Sequence, residues 1–280
     1  MPEGPEIRRA ADRVEKQLTG QPLDDAWFAF DELKPHAQSL IGHRVERVDT
    51  RGKAMLTRFD DGRVLYSHNQ LYGVWKLHPA GAPPDTRRSL RVRLEAGDRA
   101  ASLYSASDVS LWDEASLHEH PFLARLGPDL LSEDVSAGNV AARLEDSRFA
   151  RRGLGGLLLD QSLVAGLGNY LRSEILFFAR LHYKTRPQDL NDTELERLAH
   201  YIVALTWQTY RQAGVTNAPE WVKKAKARGE KRRQYRFAAF EREGLECHRC
   251  AAPIERVMAG SRRLYFCPCC QPPARPRRAA

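Results

Sequence analysis

Pro2 and Glu3 are the first residues of this 280-residue chain whose types and placement suit chemistry. Met1 precedes a small residue, so its removal is expected and leaves Pro2 with a free secondary amine. An α-amino group titrates near ~8, so a sizeable share is uncharged at neutral pH. Ile7, Ala10, Ala11, Val14 and Leu18 recur at helical spacing, Pro5 suits a first turn and Gly20 a stop. The amine therefore lies just ahead of a helix N-terminus, whose dipole disfavours a proton there. An uncharged secondary amine attacks an electrophilic carbon and expels a leaving group to give an iminium. Glu3 and Glu6 stand beside it as proton donor, acceptor or electrostatic partner. Either is equally an ordinary acidic residue for a first helical turn.

The cysteines make a second constellation. Cys247, Cys250, Cys267, Cys269 and Cys270 all fall within 24 residues. Cys247 and Cys250 form one C-x2-C pair, and Cys267 and Cys270 form another after sixteen intervening residues. Two such knuckles complete a tetrahedral sulfur shell, which suits one structural Zn²⁺ with no open position for reaction. A redox pair or an iron–sulfur cluster are the competing uses of this spacing. Cys269 would give a tighter C-x-C spacing and is read as a non-ligand.

Three further groups invite a chemical reading. Lys53, after Gly52 at the start of an expected strand, is either a solvated lysine or an ammonium that contacts phosphate or delivers a proton. Gln70, Leu71 and Tyr72 sit at a strand end, as a tip that fills the gap left by an extruded base or as a hairpin with a part-buried aromatic. Gly166-Leu167-Gly168-Asn169 can bring backbone and an amide side chain to a phosphate, or merely connect two helices tightly.

The elements that must position these groups can be read from texture. From about residue 24 to 111, AWFAF, RVERV, AMLTRF, RVLYSH, YGVWKL and SLRVRLEA carry β-branched and aromatic residues, several in alternation. Asp60-Asp61-Gly62 separates two of them as a turn. Residues 78–88 read as a loop. From about 114 the pattern is helical. A capped helix is expected over 134–146, starting near Ser132 or Ser136. An apolar segment covers 154–164, a second helix follows Asn169, and a long helix spans about 192–214. Residues 217–236 read as a polar, basic, mobile loop, and the cysteine segment as a zinc-bound β-hairpin. The tail is rich in Pro and Arg and is read as disordered.

Charge is uneven. The chain carries 44 Lys+Arg and 36 Asp+Glu, a net +8, but residues 221–280 alone amount to +11 and the rest to −3. A clustered basic block points to a polyanion, nucleic acid above all, or to a solvating tail. Mean hydropathy is −0.55, and no apolar run approaches the roughly 18 residues of a membrane span. The charged N-terminus has no signal-peptide stretch. Membrane, secreted and disordered classes are thus disfavoured, and a cytoplasmic, nucleoid-associated monomer is expected.

In order along the chain, PEGPEIRRAADRVE, TRGKAMLTRF, LYSHNQLYGVW, LYSASD, HPFLARLGPD, LLLDQSLVAGLGNYLRSEIL and the four-cysteine module resemble the formamidopyrimidine-DNA glycosylase / endonuclease VIII family. The likeness runs from residue 1 to about 271, and PEGPEI and QLYGVW lean to its endonuclease VIII branch. It implies an α+β fold: an N-terminal β-sandwich with a leading helix (1–125), a helix–two-turn–helix domain (126–236), a zinc-finger β-hairpin (237–271) and a basic tail (272–280). It implies excision of oxidised bases, chiefly pyrimidines, from damaged double-stranded DNA, and strand cutting by β,δ-elimination. On this resemblance Pro2 attacks C1′ and Glu3 protonates the sugar oxygen or the departing base. Lys53 contacts phosphate and assists β-elimination, and Gln70, Leu71 and Tyr72 fill the duplex. Arg125 and Asn169 hold phosphates. Arg262, with Arg263 adjacent, grips phosphate and aids δ-elimination. Cys247, Cys250, Cys267 and Cys270 hold zinc, and the reaction itself needs no cofactor. The alternatives are the oxidised-purine branch of the family, or a non-catalytic zinc-ribbon DNA-binding module.

Overall fold

The computed structural model describes residues 2–132 and 134–273, so Met1 and most of the basic tail, 274–280, lie outside the described residues. The chain divides into two compact units that meet in sequence at Arg125 and Leu126.

The first unit opens with helix α1 (Gly4–Leu18), which buries Ile7, Ala11, Val14 and Leu18, the stripe its apolar spacing predicts. Eight strands follow: β1 (Asp25–Phe28), β2 (Val45–Arg51), β3 (Ala54–Phe59), β4 (Arg63–His68), β5 (Val74–Pro79), β6 (Leu90–Ala96), β7 (Arg99–Tyr104) and β8 (Asp108–Asp113). Short helix α2 (Lys34–Leu40) lies between β1 and β2. The strands form two four-stranded sheets, ordered β2-β3-β4-β8 and β1-β6-β7-β5, and every pairing is antiparallel. Val48, Met55, Phe59 and Leu65 of one sheet share a core with Phe28, Trp75, Leu94 and Leu103 of the other. The unit is therefore a sandwich, as expected. Helix α1 packs on strands of both sheets. Gln17 near its end donates to the carbonyls of His78 (3.1 Å) and Ala100 (3.2 Å). The loop expected over 78–88 starts later, because β5 runs through Pro79.

Alternation in β4 explains what happens on the outer face of the first sheet. Leu65 enters the sandwich core, whereas Val64, Tyr66 and His68 point away from it. They are nonetheless covered, because the segment after β8 folds over them. His120 stacks on Tyr66 (ring centroids 3.9 Å apart), and Phe122 meets His68 edge-on at 5.2 Å. Arg58 pins this segment by pairing with Glu114 and with Asp49 (3.0 Å).

The second unit is helical, followed by a hairpin. Helix α3 (Ala137–Glu145) is capped by Ser136, which accepts from the Asn139 N–H. One-turn α4 (Leu154–Leu157), α5 (Asn169–Ala179) and the long α6 (Asp192–Arg211) follow. The mobile loop expected over 217–236 is a pair of helices instead, α7 (Pro219–Ala227) and α8 (Arg232–Tyr235). Strands β9 (Glu255–Ala259) and β10 (Arg262–Phe266) form the antiparallel hairpin. Leu171, Ile175 and Phe177 of α5 share one core with Leu198 and Ile202 of α6 and with Leu264 and Phe266 of β10.

Candidate active site and nucleic-acid interface

At the start of the first unit, Glu3 is the N-cap of α1 and only 2 % exposed. Its backbone N–H donates to the Glu6 carboxylate at 3.0 Å, a capping arrangement. Glu3 and Glu6 share a reciprocal cap at the start of the helix, and Glu3 is the buried one of the two, adjoining Pro2. Pro2 is half-buried and leads straight into Glu3.

Lys53 lies in the two-residue turn between β2 and β3, where Arg51 pairs with Ala54. Gly52 at φ +62° fills the first turn position, as such hairpins demand. Across the sheet Ala54 pairs with His68 and His68 with Asp108, so the turn sits at the same sheet end as His68. Burial holds the His68 imidazole below its ordinary pKa; the Lys53 charge adds to this and Asp108 opposes it. His68 Nδ1 accepts the Gln70 N–H at 3.1 Å, which requires the unprotonated nitrogen.

Gln70, Leu71 and Tyr72 form the turn that follows. Gln70 is held at φ +47°, an uncommon conformation for a residue with a side chain. Its Oε1 accepts from Ser107 Oγ at 2.7 Å, and Arg88 donates to the Tyr72 carbonyl at 2.5 Å. The Gly73 N–H returns to the Asn69 carbonyl at 2.7 Å, and a Cβ on Gly73 would stand 2.6 Å from that oxygen. The backbone is therefore tightly braced, while the Leu71 and Tyr72 side chains stand in water. Leu71 is 55 % and Tyr72 67 % exposed. A rigid turn that spends its bracing on displaying apolar groups to water is suited to entering another molecule. Arg125 ends a short helical turn after the covering segment. Its Nε donates to the Pro121 carbonyl (2.8 Å), and the residue is exposed.

In the second unit, Asn169 is the first residue of α5. The fully buried Arg172 donates to Asn169 Oδ1 at 2.7 Å, which turns the amide NH2 outward as a donor. Arg172 also reaches the carbonyls of Gly155 (2.7 Å) and Arg263 (3.0 Å), tying the start of α5 to β10. The Gly166 N–H is taken by Gln161 Oε1 at 3.1 Å. Arg262 begins β10 beside the hairpin turn, and both it and Arg263 are exposed. Glu174 is wholly buried and accepts from Thr216 Oγ1 (2.5 Å) and the backbone N–H groups of Ala238, Ala239 and Phe240 (each 2.8 Å). Burial pushes its pKa up and these donors oppose that. Arg172 and Glu174 were not singled out from sequence.

The thiolate atoms of Cys247, Cys250, Cys267 and Cys270 lie within 4.8 Å of one another, and Cys269 is outside the group. Cys250 and Cys267 are 3.5 Å apart and Cys247 and Cys270 3.9 Å, close to the ~3.8 Å edge of a tetrahedron with Zn–S bonds of about 2.3 Å. Backbone N–H groups of Arg249 and Cys270 point at the sulfurs of Cys247 and Cys267 (both 3.4 Å). Without a cation, burial and crowding by the other thiols push Cys267 up to about 11, so metal binding must release protons. The four sulfurs fit one structural zinc ion, and all four positions are used.

This geometry can be set beside known proteins. The formamidopyrimidine-DNA glycosylase N-terminal domain model matches residues 1–107 and the H2TH domain of the same enzymes residues 126–217. A zinc finger found in FPG and IleRS matches 244–273. The chain belongs to the formamidopyrimidine-DNA glycosylase family, and with it to the DNA glycosylase/lyases of base-excision repair. Within that family its relatives include endonuclease 8 of Klebsiella pneumoniae strain 342, 47 % identical over 97 % of this chain and 100 % of the relative. Endonuclease 8 of Pectobacterium atrosepticum is likewise 47 % identical, with the same coverage. A crystal structure of Lactococcus lactis Fpg with DNA containing N7-benzyl-Fapy-dG superposes with a TM-score of 0.80 at 21 % identity, over 97 % of this chain and 100 % of that one. A bare zinc-ribbon module is set aside, because the match extends through both larger units.

Proposed function

We propose that this DNA glycosylase and abasic-site lyase acts mainly on oxidised pyrimidines such as thymine glycol in duplex DNA, as a monomer in the cytoplasm at the nucleoid. The Pro2 nitrogen attacks C1′ as the C1′–base bond breaks, and the departing base takes up a proton. Glu3 protonates the sugar ring oxygen, the ring opens, and the nitrogen lone pair completes an iminium. The iminium acidifies the C2′ proton. Its loss expels the 3′ phosphate, and a second elimination expels the 5′ phosphate. Lys53 assists the first proton transfer and Arg262 the second. Gln70, Leu71 and Tyr72 occupy the space of the extruded nucleotide, a displacement that costs a few kcal/mol and less for a damaged base. Arg125 and Asn169 hold phosphates, so affinity falls steeply with salt.

The observation that carries this reading is the Pro2–Glu3 pair at the head of α1, with Glu3 buried beside the nucleophile. The preference for pyrimidines is supported by the endonuclease 8 relatives. Borohydride trapping tests both. Covalent complex is expected chiefly with thymine glycol duplex and none with undamaged duplex, and Pro2→Gly abolishes it. Trapping mainly on 8-oxoguanine would reassign the substrate, and undiminished trapping by Pro2→Gly would overturn the mechanism.

A further inference from the structure

The pair α7–α8 is an excursion closed at its neck. Thr216 and Asn217 donate their N–H groups to the Arg236 carbonyl (3.0 and 3.3 Å), and Asn217 Nδ2 reaches the Tyr235 carbonyl at 3.2 Å. Arg236 seals the base, with its Nε on the Gly214 carbonyl at 2.7 Å and its guanidinium over Phe237 at 4.5 Å. One side of α7 is anchored: Trp221 stacks on Phe178 (6.1 Å) and Ala225 is buried. Lys226 lies over the Tyr235 ring at 5.6 Å and ties α7 to α8.

The other side is nearly all cation. Residues 219–236 hold eight Lys and Arg against Glu220 and Glu230, a balance of +6 in a chain whose total is +8. Lys223, Lys224, Lys226, Lys231, Arg232 and Arg233 are exposed, and among the described residues none of these six is in an ion pair, whereas Arg228 pairs with Glu230 at 2.6 Å. An ordered, anchored lobe with so many unmatched charges repels itself and is relieved by a polyanion. Exposed lysine and arginine heads spread over two helices suit phosphates of any sequence.

We infer that the α7–α8 lobe is a lesion-independent contact for the DNA phosphate backbone, which sets affinity for undamaged duplex and the time spent searching along it. This rests on the DNA-glycosylase reading and adds a second electrostatic grip to Arg125, Asn169 and Arg262. The test is a quadruple variant, Lys223→Gln, Lys224→Gln, Lys231→Gln and Arg232→Gln, in the zinc-loaded full chain. Binding to undamaged and thymine glycol duplexes is measured between about 50 and 200 mM salt. For every phosphate that the variant no longer neutralises, the rise in Kd over that range should shrink by about three- to fourfold, equally on both duplexes. Borohydride trapping at saturating enzyme should be unchanged, so a failed glycosylase reading would be recognised separately. A charge-retaining variant with Lys→Arg at the three lysines should keep the parent salt dependence, which controls for folding. An unaltered salt dependence in the quadruple variant, or a loss confined to the damaged duplex, overturns the inference.

Discussion

The turn 69–73 and the tip of the β9–β10 hairpin both hold side chains out into water, yet different forces fix them. The first is braced by short-range hydrogen bonds, with His68 accepting and Ser107 and Arg88 donating, and by the close approach of Gly73 to Asn69. Its exposed groups are Leu71 and Tyr72. The second presents Arg262 and Arg263 and is tethered at its far end by Cys267, next to β10, and along its edge by the buried Arg172. One tip is thus preset by local packing and the other by a metal knot and a long-range charge. A locally braced turn that displays apolar side chains and a metal-tethered tip that presents cations are separately encoded. The two halves of the function can therefore be lost one at a time.

The largest separation should come from the metal. Stripping zinc, or Cys267→Ala, should unfold the finger and abolish tight DNA binding, because structural zinc contributes about 10–16 kcal/mol in isolated fingers. Zinc titration with DNA retention measures this, while the sandwich should keep its β-sheet circular dichroism. Next, Glu174→Ala would leave three backbone N–H groups and a hydroxyl without their acceptor. A loss of about 3 kcal/mol or more is expected in denaturant unfolding, with zinc still bound at saturating metal. Leu71→Ala with Tyr72→Ala should instead change stability by no more than about 0.5 kcal/mol. Single-turnover excision from duplex should fall about tenfold or more, since unstacking costs a few kcal/mol, and excision from single strands far less.

The smallest effect is that of pH. His68, His120 and His182 are all held below their ordinary pKa by burial, and each Nδ1 accepts a backbone N–H two residues on. A depressed histidine binds fewer protons folded than unfolded. Its contribution is present above the unfolded value of about 6.5 and is lost as pH falls through the folded one. Unfolding free energy should therefore drop as pH falls below about 6.5. His68→Gln should flatten that slope partly and raise the mobility of the 69–73 turn in amide exchange.

The readable parts of the sequence were those with short-range rules. The stripe from Ile7 to Leu18, the strand-forming runs of β3 and β4 and the cysteine spacing each follow a local rule, and each formed as expected. Helices α7 and α8 did not declare themselves, because their apolar anchor is little more than Trp221 and Ala225 amid lysines and arginines. Arg172 and Glu174 were opaque for another reason. Their partners, Arg263 and Ala238 to Phe240, are more than sixty residues away, and no local pattern distinguishes a charge with a distant mate from one in solvent. The role of His68 depended likewise on a fold-back that covers the outer face of a sheet.

The closed neck at Thr216 and Arg236 also has a practical use. Because Thr216 and Asn217 are bonded to Arg236 across its neck, the excursion is a replaceable unit: a swapped segment that keeps Trp221 and Ala225 need not disturb α6 or Phe237. Swapped segments graded in charge then give a series whose travel on stretched DNA can be followed molecule by molecule.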